Sequence, residues 1–226
     1  MSMLLPRGSL LSIQRTRSNT ELPSVPVFHL VQHVTIRTGA GVIESVDSNV
    51  QDFFVDNRVG WMVEVAKHFD RYGTSAVILG LAVVVAAIWR ARTPTTWLMA
   101  AVPMSVIVNE VAVSLLKVMI GRERPPVVQQ LVEATSASLP SGHTASATAF
   151  VTATVMIRHR MSHRNRSWGL LDLFLSAFAV VSGVARLVLG VHWLSDVVAG
   201  WFIGAVIGAL TVRVAGKIVP CQRSTN

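Results

Sequence analysis

Five long apolar stretches, at about 75–89, 97–116, 144–157, 170–189 and 193–212, restrict the 226-residue chain more than any other feature. A helix needs roughly 20 residues to cross the hydrocarbon of a bilayer. Three of the stretches approach that length unaided, and the first and third reach it by borrowing their flanks. The backbone of a lipid-exposed span has to satisfy its own hydrogen bonds. An all-α polytopic membrane bundle with five clear spans is therefore expected. The composition agrees, at 51% hydrophobic and 14% charged with mean hydropathy +0.52. Trp89, Trp97, Trp168 and Trp193 stand at stretch ends, where indole rings favour the headgroup level.

Residues 1–41 carry Arg7, Arg15 and Arg17 among Ser, Thr and Pro, without the apolar core of a secretory signal, and read as a poorly ordered arm. Within and beyond it, Leu22 to Ile43 is a candidate weak membrane segment, interrupted by Pro23, Pro26, His29, His33 and Arg37. Residues 42–73 read as two amphipathic helices, one with Ile43, Val46, Val50 and Phe53 on a stripe, the next with Met62, Val65, Ala66 and Phe69. They suit a membrane surface or the end of the bundle. A membrane-embedded domain at 74–219 and a tail at 220–226 complete the division.

The basic residues set the orientation. Arg90 and Arg92, then Arg158, Arg160, Arg164 and Arg166, then Arg213, Lys217 and Arg223 make nine with no acid among them, so those loops and the tail are expected in the cytoplasm. With five spans, residues 1–73 would then lie outside, and a sixth segment at Leu22 to Ile43 would bring the N-terminus back in. The formal charge of +8 is spread over short loops instead of forming one stripe, which argues against nucleic acid as a partner. Cys221, the single cysteine, permits no internal disulfide and does not fit a prenylation signal.

The opposite face gathers the polar chemistry. Lys117 closes the second stretch, and Gly121-Arg122-Glu123-Arg124-Pro125-Pro126 follows. Leu139-Pro140-Ser141-Gly142-His143 is a tight turn opening directly into the third stretch, so Ser141, Gly142 and His143 fall at a helix N-terminus, where unpaired N–H groups favour anions. Arg186 ends the fourth stretch, and His192 and Asp196 share a face at i and i+4 as the fifth begins. Singly these have plain readings: interfacial anchors, a snorkelling arginine, a capped helix start, a surface hydrogen bond. Together, cations, two imidazoles, an acid that can orient one of them and a helix N-terminus on one face of a membrane suit a phosphate ester.

Lys117 with six residues before Arg124-Pro125, then Pro140-Ser141-Gly142-His143, then Arg186 with five residues before His192 and three more before Asp196, resemble the tripartite signature of the type 2 phosphatidic acid phosphatase superfamily. Members are integral membrane lipid phosphatases whose site is related to those of bacterial acid phosphatases and vanadium haloperoxidases. Ala185 departs from the serine often found before the arginine. The resemblance implies that His192 is a nucleophile forming a phosphohistidine, that Asp196 fixes its tautomer, and that His143 is the general acid. It further implies that Lys117, Arg124, Arg186, Ser141 and the Gly142 N–H bind the phosphoryl group, with no metal and no cofactor.

The expected activity is hydrolysis of a lipid phosphomonoester or pyrophosphate on the extracytoplasmic side. Polyprenyl pyrophosphate comes first as substrate, phosphatidate or phosphatidylglycerophosphate second. The alternative is a non-catalytic protein that binds or moves phospholipids with the same headgroup clamp; a clamp would not need His192, Asp196 and His143. The apolar stretches exclude a soluble haloperoxidase-like enzyme. Glu110, beside Asn109 and about 10 Å below Lys117 on nearly the same helical face, is expected to hydrogen-bond another helix.

Overall fold

The computed structural model describes residues 27–92, 97–161 and 169–218, and the side chains of all of these except 27–40 and Trp97. Expectations for residues 1–26, for the side chains up to 40 and for the tail lie outside the described residues. The chain divides into two compact units, residues 1–40 and 41–226, and the second holds the helix bundle and the polar face.

Among the described residues there are seven α-helices and no strand: α1 Val27–Asp56, α2 Gly60–Tyr72, α3 Ser75–Arg92, α4 Ala101–Ile120, α5 Gly142–Met161, α6 Leu170–Val188 and α7 Leu194–Ile218. A 3₁₀ turn, Trp97–Ala100, leads into α4. Among the described residues, four helices are long and apolar enough to cross a membrane: α3, α4 with its lead-in from Leu98, α6 and α7. The fifth expected span, now α5, has the length but falls outside this set. Its composition differs because its neighbours are protein. Packed against α3, α4, α6 and α7, it buries nearly everything from Thr144 to Ile157, so lipid does not dictate its side chains and it can carry Thr144, Ser146, Thr148 and Thr154. Thr148 Oγ1 donates to the Thr144 carbonyl at 2.7 Å and Ser146 Oγ joins Ser75 Oγ at 3.0 Å, while Thr154 Oγ1 is buried with no hydrogen-bond partner among the described residues. Asn109 Nδ2 of α4 donates to the same Ser146 oxygen at 3.1 Å.

α5 and α7 run parallel along a seam of small residues. Gly200 lies against Ser141 and Thr144, Gly204 against Ala145 and Thr148, and Gly208 against Ala149 and Thr152. A Cβ on Gly200 would sit 2.9 Å from the Ser141 carbonyl oxygen, and one on Gly204 2.8 Å from the Thr148 Cβ. The four-residue spacing lets the two backbones approach closely, and close approach without bulky side chains is how helices associate where no hydrophobic effect drives them. Since both helices start at the same end, the Gly142 and Leu194 termini come together.

The two N-terminal helices face differently, one in each of the two ways left open by the sequence. Helix α1 begins at Val27, so the stretch assigned to the arm is already helical from there, and no helix boundary falls at 42. Its apolar stripe does not face the bundle: Ile43, Val46 and Phe53 are exposed, and Asp47 and Gln51 are the buried residues. Helix α2 does pack its apolar side inwards. Ala66 is buried with Ala185, Val188 and Leu189, and Phe69 stacks at a tilt on Phe178 with ring centres 5.6 Å apart.

Candidate active site

Three chain reversals deliver the side chains. Gly121, at φ 61°, closes α4 in the left-handed region that glycine adopts without strain. That turn sends Arg122 and Arg124 back over the helix end where Lys117 sits. The 139–141 turn is tied to α7 by the Ser141 N–H, which donates to the Asp196 carbonyl at 3.1 Å. After α6, Gly190 takes φ 73° and turns the chain toward His192. Arg58 steadies this corner, donating from Nε to the Val188 carbonyl (2.8 Å) and from Nη2 to the Gln129 carbonyl (2.7 Å), a cation at a helix C-terminus.

A cavity of about 350 Å³ lies at this end, and Lys117, Arg124, Gly142, His143, Arg186 and His192 all line it. Asp196 and Ser141 stand behind the wall. Asp196 is fully buried and touches His192; Ser141, expected among the phosphate ligands, has its hydroxyl against Thr144 Oγ1 at 2.9 Å.

The neighbours of His192 fix its tautomer. Nδ1 lies 3.3 Å from Asp196 Oδ2, and a carboxylate only accepts, so Nδ1 carries the proton. Nε2 lies 3.2 Å from Arg124 Nη1, and a guanidinium only donates, so Nε2 holds the lone pair. The imidazole is 2% exposed. Burial pushes its pKa from 6.5 to about 3, Arg186 and Arg124 push the same way, and Asp196 resists. At neutral pH the ring is an uncharged base with its free lone pair beside an arginine.

Asp196 accepts from four groups: His192, the Trp193 N–H at 2.9 Å, Ser138 Oγ, and Arg122 Nη1 at 2.6 Å. Arg124 is braced by its own loop, with Nε to the Ser136 carbonyl at 2.7 Å and Nη1 to the Val191 carbonyl at 2.6 Å. Burial and the nearby Arg186 hold its pKa below the ordinary guanidinium value. Lys117 Nζ donates to Ser136 Oγ at 3.2 Å. Arg186, 4% exposed, is paired through Nη1 with Asp70 of α2, and its Nε–H has no partner among the described residues. A buried guanidinium donor beside a cavity is a place for an anion's oxygen. His143 Nε2 donates to the Asp70 carbonyl at 3.2 Å.

Four contributors escape sequence reasoning. Arg122 reads only as a loop charge, and no spacing points Ser138, Asp47 or Asp70 to the site. Arg122 bridges Asp196 to Asp47, with Nη2 2.7 Å from Asp47 Oδ2. Only Arg122 has a visible signal, the Arg-Glu-Arg repeat that turns alternate residues to one side. Glu110 also differs from expectation: it lines the cavity, and Asn109 makes the interhelical bond.

Residues 94–220 match the family model of the PAP2 superfamily, and the chain belongs to that family. It is thus an integral membrane protein and a phosphoric ester hydrolase of the PAP2 type. Its relatives include phosphatidylglycerophosphatase B of Bacillus subtilis (strain 168), 28% identical over 189 residues, which are 81% of this chain and 89% of the relative. The fold matches the crystal structure of a transmembrane PAP2-type phosphatidylglycerolphosphate phosphatase from Bacillus subtilis, with TM-score 0.69, 26% identity and coverage of 87% of this chain and 96% of that one. It also matches LpxE of Aquifex aeolicus, with TM-score 0.59, 22% identity and coverage of 74% and 94%, a likeness of fold.

Proposed function

We propose that the protein hydrolyses a lipid phosphomonoester of the phosphatidylglycerophosphate or phosphatidate kind through a phosphohistidine on His192, without a metal ion. The observation that carries this is the placement of His192, with Nδ1 on Asp196 and Nε2 at the cavity beside Arg124. In this reading Lys117, Arg124, Arg186 and the Gly142 N–H take the non-bridging oxygens. Nε2 attacks phosphorus in line with the leaving alkoxide, and Asp196 stabilises the imidazolium that forms. His143 gives a proton to the leaving oxygen and then accepts one from the water that cleaves the phosphohistidine. Ser141 holds the turn that aims the Gly142 N–H.

The similarity to phosphatidylglycerophosphatase B moves this substrate class ahead of polyprenyl pyrophosphate, and so does the cavity. Its three cations share the walls with Asp70, Glu110 and Glu133, which suits one phosphoryl group better than two. Only fifteen residues separate Arg124 from Pro140, so breadth among lipid phosphates is expected. α5 would be a fifth span, inner to the others, and the nine basic residues would keep loops and tail in the cytoplasm with the site outside.

Phosphate release by purified protein from a panel of lipid phosphates tests the chemistry. His192→Ala should leave no measurable turnover, and His143→Ala should cost roughly two to four powers of ten, least where the leaving group is already acidic. Chelator should change nothing, and vanadate should inhibit. Full activity in His192→Ala would sink the phosphohistidine mechanism, and a wild-type protein that binds lipid phosphates without releasing phosphate would favour the non-catalytic headgroup clamp. For sidedness, Gln129→Cys should react with an impermeant thiol reagent in intact cells and Ser162→Cys should not; the reverse labelling would put the site in the cytoplasm.

A further inference from the structure

Asp47 precedes the stretch matched to the family, yet it completes the innermost ion cluster of the site. It is 2% exposed on α1. Its carboxylate accepts from Arg122 Nη2 at 2.7 Å, from the Ser195 N–H at 2.8 Å and from Ser195 Oγ at 2.6 Å. Arg122 Nη1 in turn donates to Ser195 Oγ and Asp196 Oδ1, both at 2.6 Å. One guanidinium thus spans two carboxylates, one facing His192 and the other brought from the N-terminal helix. Although burial works against its charge, the two acids hold the Arg122 pKa above the ordinary value.

We infer that Asp47 is a positioning residue for His192, acting through Arg122 and Asp196. The inference rests on the phosphohistidine reading above, and charge explains why the residue is needed. When His192 takes the phosphoryl group its ring becomes cationic, with Arg124 and Arg186 close by and Lys117 on the same cavity. Asp196 is the acid that compensates that charge. Bound to Arg122 alone it would form a neutral pair, which attracts a cation weakly. Asp47 shares the guanidinium, so the trio keeps one net negative charge for the imidazolium. The arrangement also explains the inverted facing of α1. A buried carboxylate is costly unless it is paired and hydrogen-bonded, and these contacts supply both while Ile43, Val46 and Phe53 stay outside.

A plain tether between α1 and the bundle would use the same contacts, so the test needs a readout that a tether would not move. Asp47→Asn keeps the shape and an acceptor for the Ser195 N–H but removes the charge and the oxygen that accepts from Arg122 and Ser195 Oγ; Arg122→Gln removes the cation from Asp196. With phosphatidylglycerophosphate as substrate, Asp47→Asn is expected to lower kcat on the order of tenfold while KM stays nearly constant. In ¹⁵N-histidine-labelled protein in detergent, the His192 Nδ1–H resonance, assigned by its loss in His192→Gln, should move upfield in Asp47→Asn as Asp196 becomes the poorer acceptor. It should move downfield in Arg122→Gln. Asp47→Glu, which keeps the charge, should restore most of kcat and provides a folded variant should Asp47→Asn not fold. Shifts in the same direction for Asp47→Asn and Arg122→Gln, or an unmoved resonance with wild-type kcat, would overturn the inference. A wild-type protein that releases no phosphate would overturn the proposed function instead, and the resonance would still decide the role of Asp47 because it needs no turnover.

Discussion

Two buried aspartates sit at opposite ends of α5 with nearly the same partners. Asp196, near its N-terminal end, accepts from an arginine, a histidine and a backbone N–H: Arg122, His192 and Trp193. Asp172, near its C-terminal end, does the same with Arg158, His159 and Gly169. The difference is in the histidine. His192 spends Nδ1 on its aspartate and turns Nε2 to a cavity walled by cations, whereas His159 spends Nε2 on Asp172 at 3.2 Å. The cavity beside His159 is lined by Val151, Thr152, Val155, Met156 and Ser176, with Arg160 as its one cation against the three around His192. Arg158, moreover, grips Asp172 through both Nε and Nη2, while Arg122 is shared between two acids. An Asp-His-Arg group is therefore a general way of burying a carboxylate at a helix end. On the proposed mechanism, what makes the His192 group reactive is that its outer imidazole nitrogen is left for a substrate and its arginine is partly neutralised by Asp47.

Substitutions at matched positions can break this contrast. Asp196→Asn should cost turnover the most, roughly three to four powers of ten, with the protein still folded; retained activity would remove the distinction at its root. Asp172→Asn should behave oppositely. It should lower the melting temperature in detergent by roughly 10 °C and leave the specific activity of the folded fraction unchanged, because it loosens only the junction of α5 with α6. A collapse of kcat there would show the two clusters to be functionally linked. Gly204→Ala, in the seam between them, should destabilise by about 3 kcal/mol, because its Cβ meets the Ala145 backbone carbonyl as well as the Thr148 side chain, with a smaller effect on kcat than Asp196→Asn. The smallest change belongs to His159→Gln, whose turnover should stay within about twofold of wild type. A larger loss would mean that His159 does more than fill the Asp172 shell.

What the sequence revealed tracks the range of each interaction. His192 and Asp196 are four residues apart on one helix, so their contact is written in local spacing. The Ser-Gly-His turn announces a helix start for the same reason. Lys117, Arg124 and Arg186 were legible through motif order, as ends of apolar stretches that must meet at one membrane face. Asp47 and Arg122 are 75 residues apart, and Asp70 and Arg186 are 116 apart, and no period or motif links such partners. The stripe on α1 was legible, but not what covers it. Ile43, Val46 and Phe53 do recur at helical spacing, but periodicity identifies an apolar face without saying whether protein or membrane covers it. α5 shows the converse: its Thr and Ser residues make it less apolar than its neighbours because neighbouring helices, not lipid, surround it.

The parallel run of α5 and α7 along Gly200, Gly204 and Gly208 has a consequence for turnover. The seam holds the N-terminus of α5 at the cavity through Gly142, and its roughly half positive charge gives an attraction for anions that no proton can switch off. At α7, by contrast, the Trp193 and Ser195 N–H groups are already taken by Asp196 and Asp47. On the proposed reading the lipid product is left with an uncharged hydroxyl in place of its phosphomonoester, whereas inorganic phosphate leaves as an anion from among the α5 terminus and three cationic side chains. Egress of phosphate should therefore be the slow step, visible as a first-turnover burst of lipid alcohol followed by a slower steady state and as competitive inhibition by added phosphate. A linear time course from the first turnover, unaffected by phosphate, would show that the anion leaves freely.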